Sequence, residues 1–368
     1  MKNGIRILGI VMSLILASSC CVVSQGAELE KEMDVGKYMT VRTEQKTQRM
    51  EIQKEKFTEM KQEAEHKGVS DLQLSKQILQ GIGLQSDGLI AQQLANLMEK
   101  SKSITCGVQY LQINENGEAE VLSKEDCLKK IEIEEKAENA QNARLRSFQE
   151  SSRQAVPQLK ANGDITSGDL TSSNQYMEMA LIAADQSTKA SPGEYLIFGI
   201  AHWLKTPVTR KEDGLSLGIN YFSWTSKTDQ NLEDMQSMLE YQRVFDSRTT
   251  GIHQVTTRTQ YINGRNAQLG NEGFYFTWDL PNDYWGANET IQCSDFAFTI
   301  AGVGNVLNAD KRNPFSVTLR YIHTQYKLAG NIEFAWASGS YPGISASGGI
   351  IADTKSYDMR IQVWHNPS

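Results

Sequence analysis

From Asn174 onward, apolar and polar positions alternate with a period of two. Leu215, Leu217, Ile219 and Tyr221 are interleaved with Ser216, Gly218 and Asn220, and Phe315, Val317, Leu319 and Tyr321 with Ser316, Thr318 and Arg320. The sets Ile332, Phe334, Trp336 and Met359, Ile361, Val363 repeat the pattern. Such alternation predicts strands with one buried face. Residues 195–204 are apolar on both faces and suit a central strand. Pro192-Gly193, Asp213-Gly214, Asn263-Gly264 and Pro342-Gly343 supply turn chemistry between the runs. A single helix is expected, near residues 232–239. Without long helical crossovers a parallel sheet is disfavoured, so residues 175–368 are predicted to form an antiparallel β-sandwich or jelly-roll-like domain.

The pattern before residue 174 differs. Residues 28–67 are rich in Glu, Lys and Gln, with Met50, Phe57, Met60 and Ala64 forming one narrow apolar stripe, which predicts a charged helical spacer. Residues 68–150 read as a small α+β unit. Ser70 or Asp71 caps a short helix, a second follows Asp87, and a hairpin turns at Asn116-Gly117 after the alternation of Ile104, Cys106, Val108 and Tyr110. A charged helix then starts near Lys124. Residues 151–174 hold no apolar period and read as a polar linker.

The first 27 residues carry their own signature. Lys2 and Arg6 precede an apolar run at 7–17, and Ser24, Gly26 and Ala27 offer small residues for cleavage. This is the layout of a secretory signal peptide, and it predicts a secreted, extracellular protein. The alternative is a lipid anchor through Cys20, although Leu16 sits one place too early for the usual lipobox. No later apolar run approaches membrane-spanning length, so no integral membrane segment is expected after signal removal.

Charge and cysteine content narrow the partners. A net charge of −7 offers no electrostatic reason to bind nucleic acid. Beyond the signal, the cysteines are Cys106, Cys127 and Cys293, an odd number for an oxidising compartment. A Cys106–Cys127 disulfide would close a loop of about 20 residues and contribute about 3 kcal/mol; two buried thiols are the alternative.

Candidate chemistry is sparse. The string Gly214-Leu215-Ser216-Leu217-Gly218 matches a nucleophile elbow but lies inside an alternating strand rather than at a strand-to-helix turn. The five histidines are isolated in sequence, and His202, among apolar neighbours, reads as a core residue. The segment that stands out runs from Trp278 and Asp279 through Asn282, Asp283, Tyr284 and Trp285 to Glu289. Exposed Trp and Tyr rings there would stack on sugars while the Asp and Asn side chains bind hydroxyls. The same oxygens suit calcium, without the spacing of an EF-hand loop. A polar turn whose Trp side chains plug the end of the sandwich is the third reading.

These features predict a non-catalytic extracellular binding or interaction protein that uses sandwich loops to meet a glycan or a protein surface. One alternative is a secreted glycan hydrolase drawing paired carboxylates from Asp279, Asp283, Asp295 and Glu333. A pore-forming factor using the Thr-rich stretch 248–262 is the other.

Overall fold

The structure is a computed structural model that describes residues 33–44, 46–81, 84, 91, 94–95, 101–114, 116–153, 174–205, 207, 210, 212–224, 235–263, 268–269, 273–324, 332–336, 342–346 and 354–367. The signal-like segment, Cys20 and nearly all of the 151–174 stretch lie outside these residues, as does most of the helix expected after Asp87.

The described chain opens with a 3-10 turn, Val35–Tyr38, then strands β1 (Thr40–Glu44) and β2 (Thr47–Ile52). Helices α1 (Lys54–Lys67) and α2 (Asp71–Gly81) follow, then β3 (Ser103–Ile113), β4 (Ala119–Leu122) and the long helix α3 (Lys124–Arg153). Next come β5 (Gln175–Asp185), β6 (Glu194–Trp203), β7 (Glu212–Ile219), β8 (Phe222–Trp224), β9 (Gln236–Ser247) and β10 (His253–Asn263). The last strands are β11 (Gln268–Leu269), β12 (Gly273–Asp279), β13 (Tyr284–Trp285), β14 (Glu289–Val306), β15 (Asn313–Thr324), β16 (Ile332–Trp336), β17 (Pro342–Ala346) and β18 (Thr354–His365).

Helix ends follow local chemistry. At α2, Ser70 Oγ accepts the Gln73 amide at 3.2 Å while Gln73 Oε1 accepts the Ser70 amide at 3.1 Å, a reciprocal capping box. Ser123 caps α3 by accepting the Asp126 amide at 3.1 Å. Gly68, left-handed at φ 65°, closes α1 by donating to the carbonyls of Ala64 and Glu65.

The strands form an antiparallel sandwich. The larger sheet is 11-stranded, with the path β1-β2-β3-β5-β6-β14-β9-β10 and β4, β8 and β13 attached beside it. The second sheet is β11-β12-β7-β15-β18, and β16 pairs with β17 in a separate ribbon. Between the two large sheets lies a core containing Met177, Met179 and Leu181 from β5 against Leu217, Leu319 and Ile361. The other face of β5 presents Tyr176, Ala180 and Ile182 to Phe57, Met60, Ile78 and Cys127 of the helices. Both faces of β5 are therefore covered, which is why its sequence is almost continuously apolar instead of alternating. Gly199 on β6 allows the sheets to approach; a Cβ there would sit 2.5 Å from Leu319 Cδ1.

Three expectations change. Residues 40–52, expected within a helical spacer, form β1 and β2, so Met50 belongs to a strand while Phe57, Met60 and Ala64 keep their stripe on α1. The 68–150 stretch does not stand apart, because β3 pairs with β5 over its whole length from Ser103↔Asp185 to Ile113↔Gln175 and joins the larger sheet. The expected helix near 232–239 gives way to β9, whose Met238 and Leu239 are buried in sheet register against β14; tertiary pairing overrides the local pattern there.

Candidate functional site

The Trp278–Trp285 segment splits by burial. Trp278, next to last in β12, is only 4% exposed, its Nε1 donating to Ser237 Oγ at 3.2 Å, so it supports the core and has no free ring face. Leu280 is buried beneath the turn. Asp279 and Asn282 are exposed. Asp283 is a clamp: its Oδ1 accepts Arg210 Nη1 at 2.5 Å and the Cys293 amide at 2.7 Å. Immediately after it, β13 pairs with the outer end of β14 in the register Tyr284↔Ile291 and Trp285↔Thr290. The Gly286 amide donates to the Glu289 carbonyl at 2.9 Å, closing the turn. Tyr284 is 51% exposed and Trp285 66% exposed. Two aromatic rings are thus displayed on backbone tied down on three sides.

The outer end of β14 is set by a bulge. Its register against β9 shifts between Ser294 and Ala297, and Asp295 there is left-handed at φ 57°. A non-glycine residue in that conformation needs support, and it comes from the neighbouring strands. His202 Nε2 lies 2.7 Å from Asp295 Oδ1, and Gln242 Nε2 donates to Asp295 Oδ2 at 3.1 Å. The other imidazole nitrogen faces Glu178 Oε2 at 3.4 Å, and Glu178 Oε1 accepts the Tyr110 hydroxyl at 2.8 Å. Tyr110, Glu178 and His202 are cross-strand neighbours, so register alone aligns them.

The electrostatics match this geometry. Burial works against charge on His202, but hydrogen bonds to Asp295 and Glu178 win and raise it to about 9. His202 therefore carries a proton on each nitrogen at neutral pH. The His202 hydrogen bond, outweighing burial, lowers Asp295. Burial, followed by the Asp295 charge, raises Glu240. An imidazolium donating to two carboxylates has no lone pair with which to act as a base. Its work here is to hold the bulge from which the rim projects.

A second polar group is enclosed between the sheets. Asp213 accepts the Tyr321 hydroxyl and His323 Nδ1 at 2.9 Å, while Trp203 Nε1 donates to Tyr321 Oη at 2.8 Å. Burial, then Asp213, pushes Tyr321 well above its ordinary value. Asp213, Tyr321 and His323 are all fully buried, which makes this a fastening of β7 to β15 and β6.

The remaining sequence candidates are dispersed. Asp283 is engaged by Arg210, Asp295 by His202, and Glu333 lies on β16 in the separate ribbon. Ser216 is a buried mid-strand residue of β7, its Oγ 3.4 Å from the Arg320 carbonyl. Cys106 and Cys127 are free thiols, so the expected bridge is not formed; both side chains pack in the apolar layer under the helices. Burial raises both, Cys127 to about 12. Among the described residues no group of three or more His, Cys, Asp or Glu side chains is placed to hold a metal, which leaves the calcium reading without a site there. No helix among them is long and apolar enough to cross a membrane. The Thr-rich stretch 248–262 forms a turn and most of β10, which pairs with β9.

No protein-family model matches the chain, and no curated protein matches it. Among solved structures, Clostridium perfringens delta-toxin is similar at 8% identity over 52% of this chain and 86% of that one, with a TM-score of 0.19. The Clostridium perfringens NetB toxin in its membrane-inserted form is similar at 7% identity over 52% of this chain and 94% of that one, also with a TM-score of 0.19. TM-scores this low do not establish a shared fold.

Proposed function

We propose that the protein is a non-catalytic extracellular binding protein whose contact surface is the rim carrying Tyr284 and Trp285. The carrying observation is the combination of exposure and rigidity at Trp285, an indole 66% open to solvent on a strand paired to β14 and clamped through Asp283. Exposed indole surface on a fixed backbone loses little conformational freedom on binding and gains stacking area. Asp279 and Asn282, exposed just before it, supply hydrogen-bonding groups for hydroxyls or amides. The signal-like first 27 residues support action outside the cell, where such surfaces are glycans or glycosylated proteins. Engagement of Asp283 by Arg210 and of Asp295 by His202 weighs against a hydrolase built on those carboxylates.

The test is a binding screen of the whole chain against immobilised extracellular glycans and matrix proteins, followed by product analysis. Saturable binding without turnover is the expected result. Cleavage of a bound glycan, or no binding across the panel, would overturn the reading.

A further inference from the structure

The edge of a sheet offers unpaired N–H and C=O groups to another chain, and proteins blunt it with short strands, charges, proline, bulges or a cover. The two large sheets here end in four edge strands, β1, β10, β11 and β18. β11 has two residues, and β1 has five, Arg42 and Glu44 among them. β18 carries Lys355, Asp358 and Arg360, and Arg49 Nη2 donates to its Gln362 carbonyl. β10 has none of these protections. It runs for 11 residues in unbroken antiparallel register with β9, from His253↔Asp246 to Asn263↔Gln236. It contains no Pro, Gly, Lys, Asp or Glu and is rich in Thr, with Val255, Tyr261 and Ile262 besides, all residues that favour strands. Among the described residues β9 is its only strand partner.

Both faces of β10 are open as well. From His253 to Tyr261 every residue except the half-buried Thr256 is exposed. Val255, 55% exposed, and Tyr261, 39% exposed, share one face, being six positions apart on a strand.

The strand is also complementary to itself. Two β10 strands related by a twofold axis at Thr257 would set Thr257 against Thr257, Thr256 against Arg258, Val255 against Thr259, Gln254 against Gln260 and His253 against Tyr261. No like charges stand opposite, and Val255 of each copy lies diagonal to Tyr261 of the other on the same face. Moving the axis one place to Arg258 would oppose two guanidinium groups, which is destabilising. This match is a property of two copies and not of the edge alone. We propose that β10 pairs antiparallel with β10 of a second copy of this chain, in the register centred on Thr257, joining two sandwiches into a dimer. The contact is isologous, so it uses up both open edges and stops at two. The dimer carries two Trp285 rims and engages a repetitive surface bivalently. The pairing itself goes beyond the rim and does not depend on it.

Sedimentation equilibrium of the whole chain should show a reversible monomer–dimer equilibrium. Thr257→Lys, a charge at an exposed position, should raise the dimer dissociation constant about tenfold or more in a chain whose thermal melt matches wild type. Under mild oxidation Thr257→Cys should form a disulfide-linked dimer, because opposed residues of an antiparallel pair lie about 4.5–5.5 Å apart at Cα, within disulfide reach. The native thiols of Cys106, Cys127 and Cys293 are buried and do not compete. Thr259→Cys, on the same face but opposite Val255 of the second copy, should stay unlinked. A monomer up to millimolar concentration would overturn the proposal, as would a dimer indifferent to Thr257→Lys. Assemblies larger than two, or linkage at Thr259→Cys in place of Thr257→Cys, would do the same.

Discussion

Trp278 and Trp285 are seven positions apart in one polar-aromatic string, yet their environments are opposite. Trp278→Ala removes a buried ring and its bond to Ser237, and should destabilise the fold by about 3–5 kcal/mol in denaturant unfolding. Trp285→Ala should change stability by no more than about 0.5 kcal/mol. His202 gives a pH signature. Its value is raised from the ordinary 6.5 to about 9, so its contribution is complete below about pH 6.5 and is lost as pH climbs through about 9. Asp295 is lowered, so its share is present above its ordinary range and fades as pH falls through the depressed value. Stability measured from pH 6 to 10 should fall at the alkaline end in wild type and lose much of that dependence in His202→Gln. An unchanged alkaline limb in the variant would contradict the imidazolium assignment. None of this was readable from His202 alone, which looks like a core residue in the string Leu196, Phe198, Ile200. The available signal was Glu178, a lone acid inside an apolar strand, which demands a buried partner.

At the scale of elements, strand identity was legible wherever apolar and polar positions alternate, as in β7, β15 and β18; the polar face meets water in β18, whereas Asp213 and Ser216 on β7 are buried. It failed at β2 and β9, where pairing with β3 and β14 decides the conformation of short, mixed segments. The cap at Ser70 was legible because it depends on neighbours in sequence. The bulge at Asp295 was not, because a register shift is defined only against the partner strand. Sheet spacing makes its own prediction. Gly199→Val should cost about 1–3 kcal/mol, since its side chain would press on Leu319, Ile300 and Leu217. A thermal melt of that variant checks it; a melt identical to wild type would show that the sheets have slack.

For the whole molecule, the three-layer order of helices, large sheet and small sheet binds the two halves of the chain together. Polar ties reinforce the packing: Tyr176 donates to Glu134 at 2.7 Å and Lys205 to Glu138 at 2.7 Å, joining α3 to the sheet. A fragment of residues 175–368 would lose β3 from the middle of the sheet and leave Ala180, Ile182, Phe198 and Ile200 uncovered. Such an open apolar edge promotes association. Gel filtration of that fragment should therefore show aggregates, whereas a folded monomer would indicate an autonomous carboxyl half. The overall fold class was legible from the period-two texture; the joining of the halves was not, since it rests on a pairing made across residues 154–173.

Under the proposed function, Trp285 serves recognition and not folding. Affinity of the Trp285→Ala chain for whichever glycan or matrix protein the screen selects tests it most directly. A loss of about tenfold or more is expected. Unchanged affinity in a normally folded variant would contradict it.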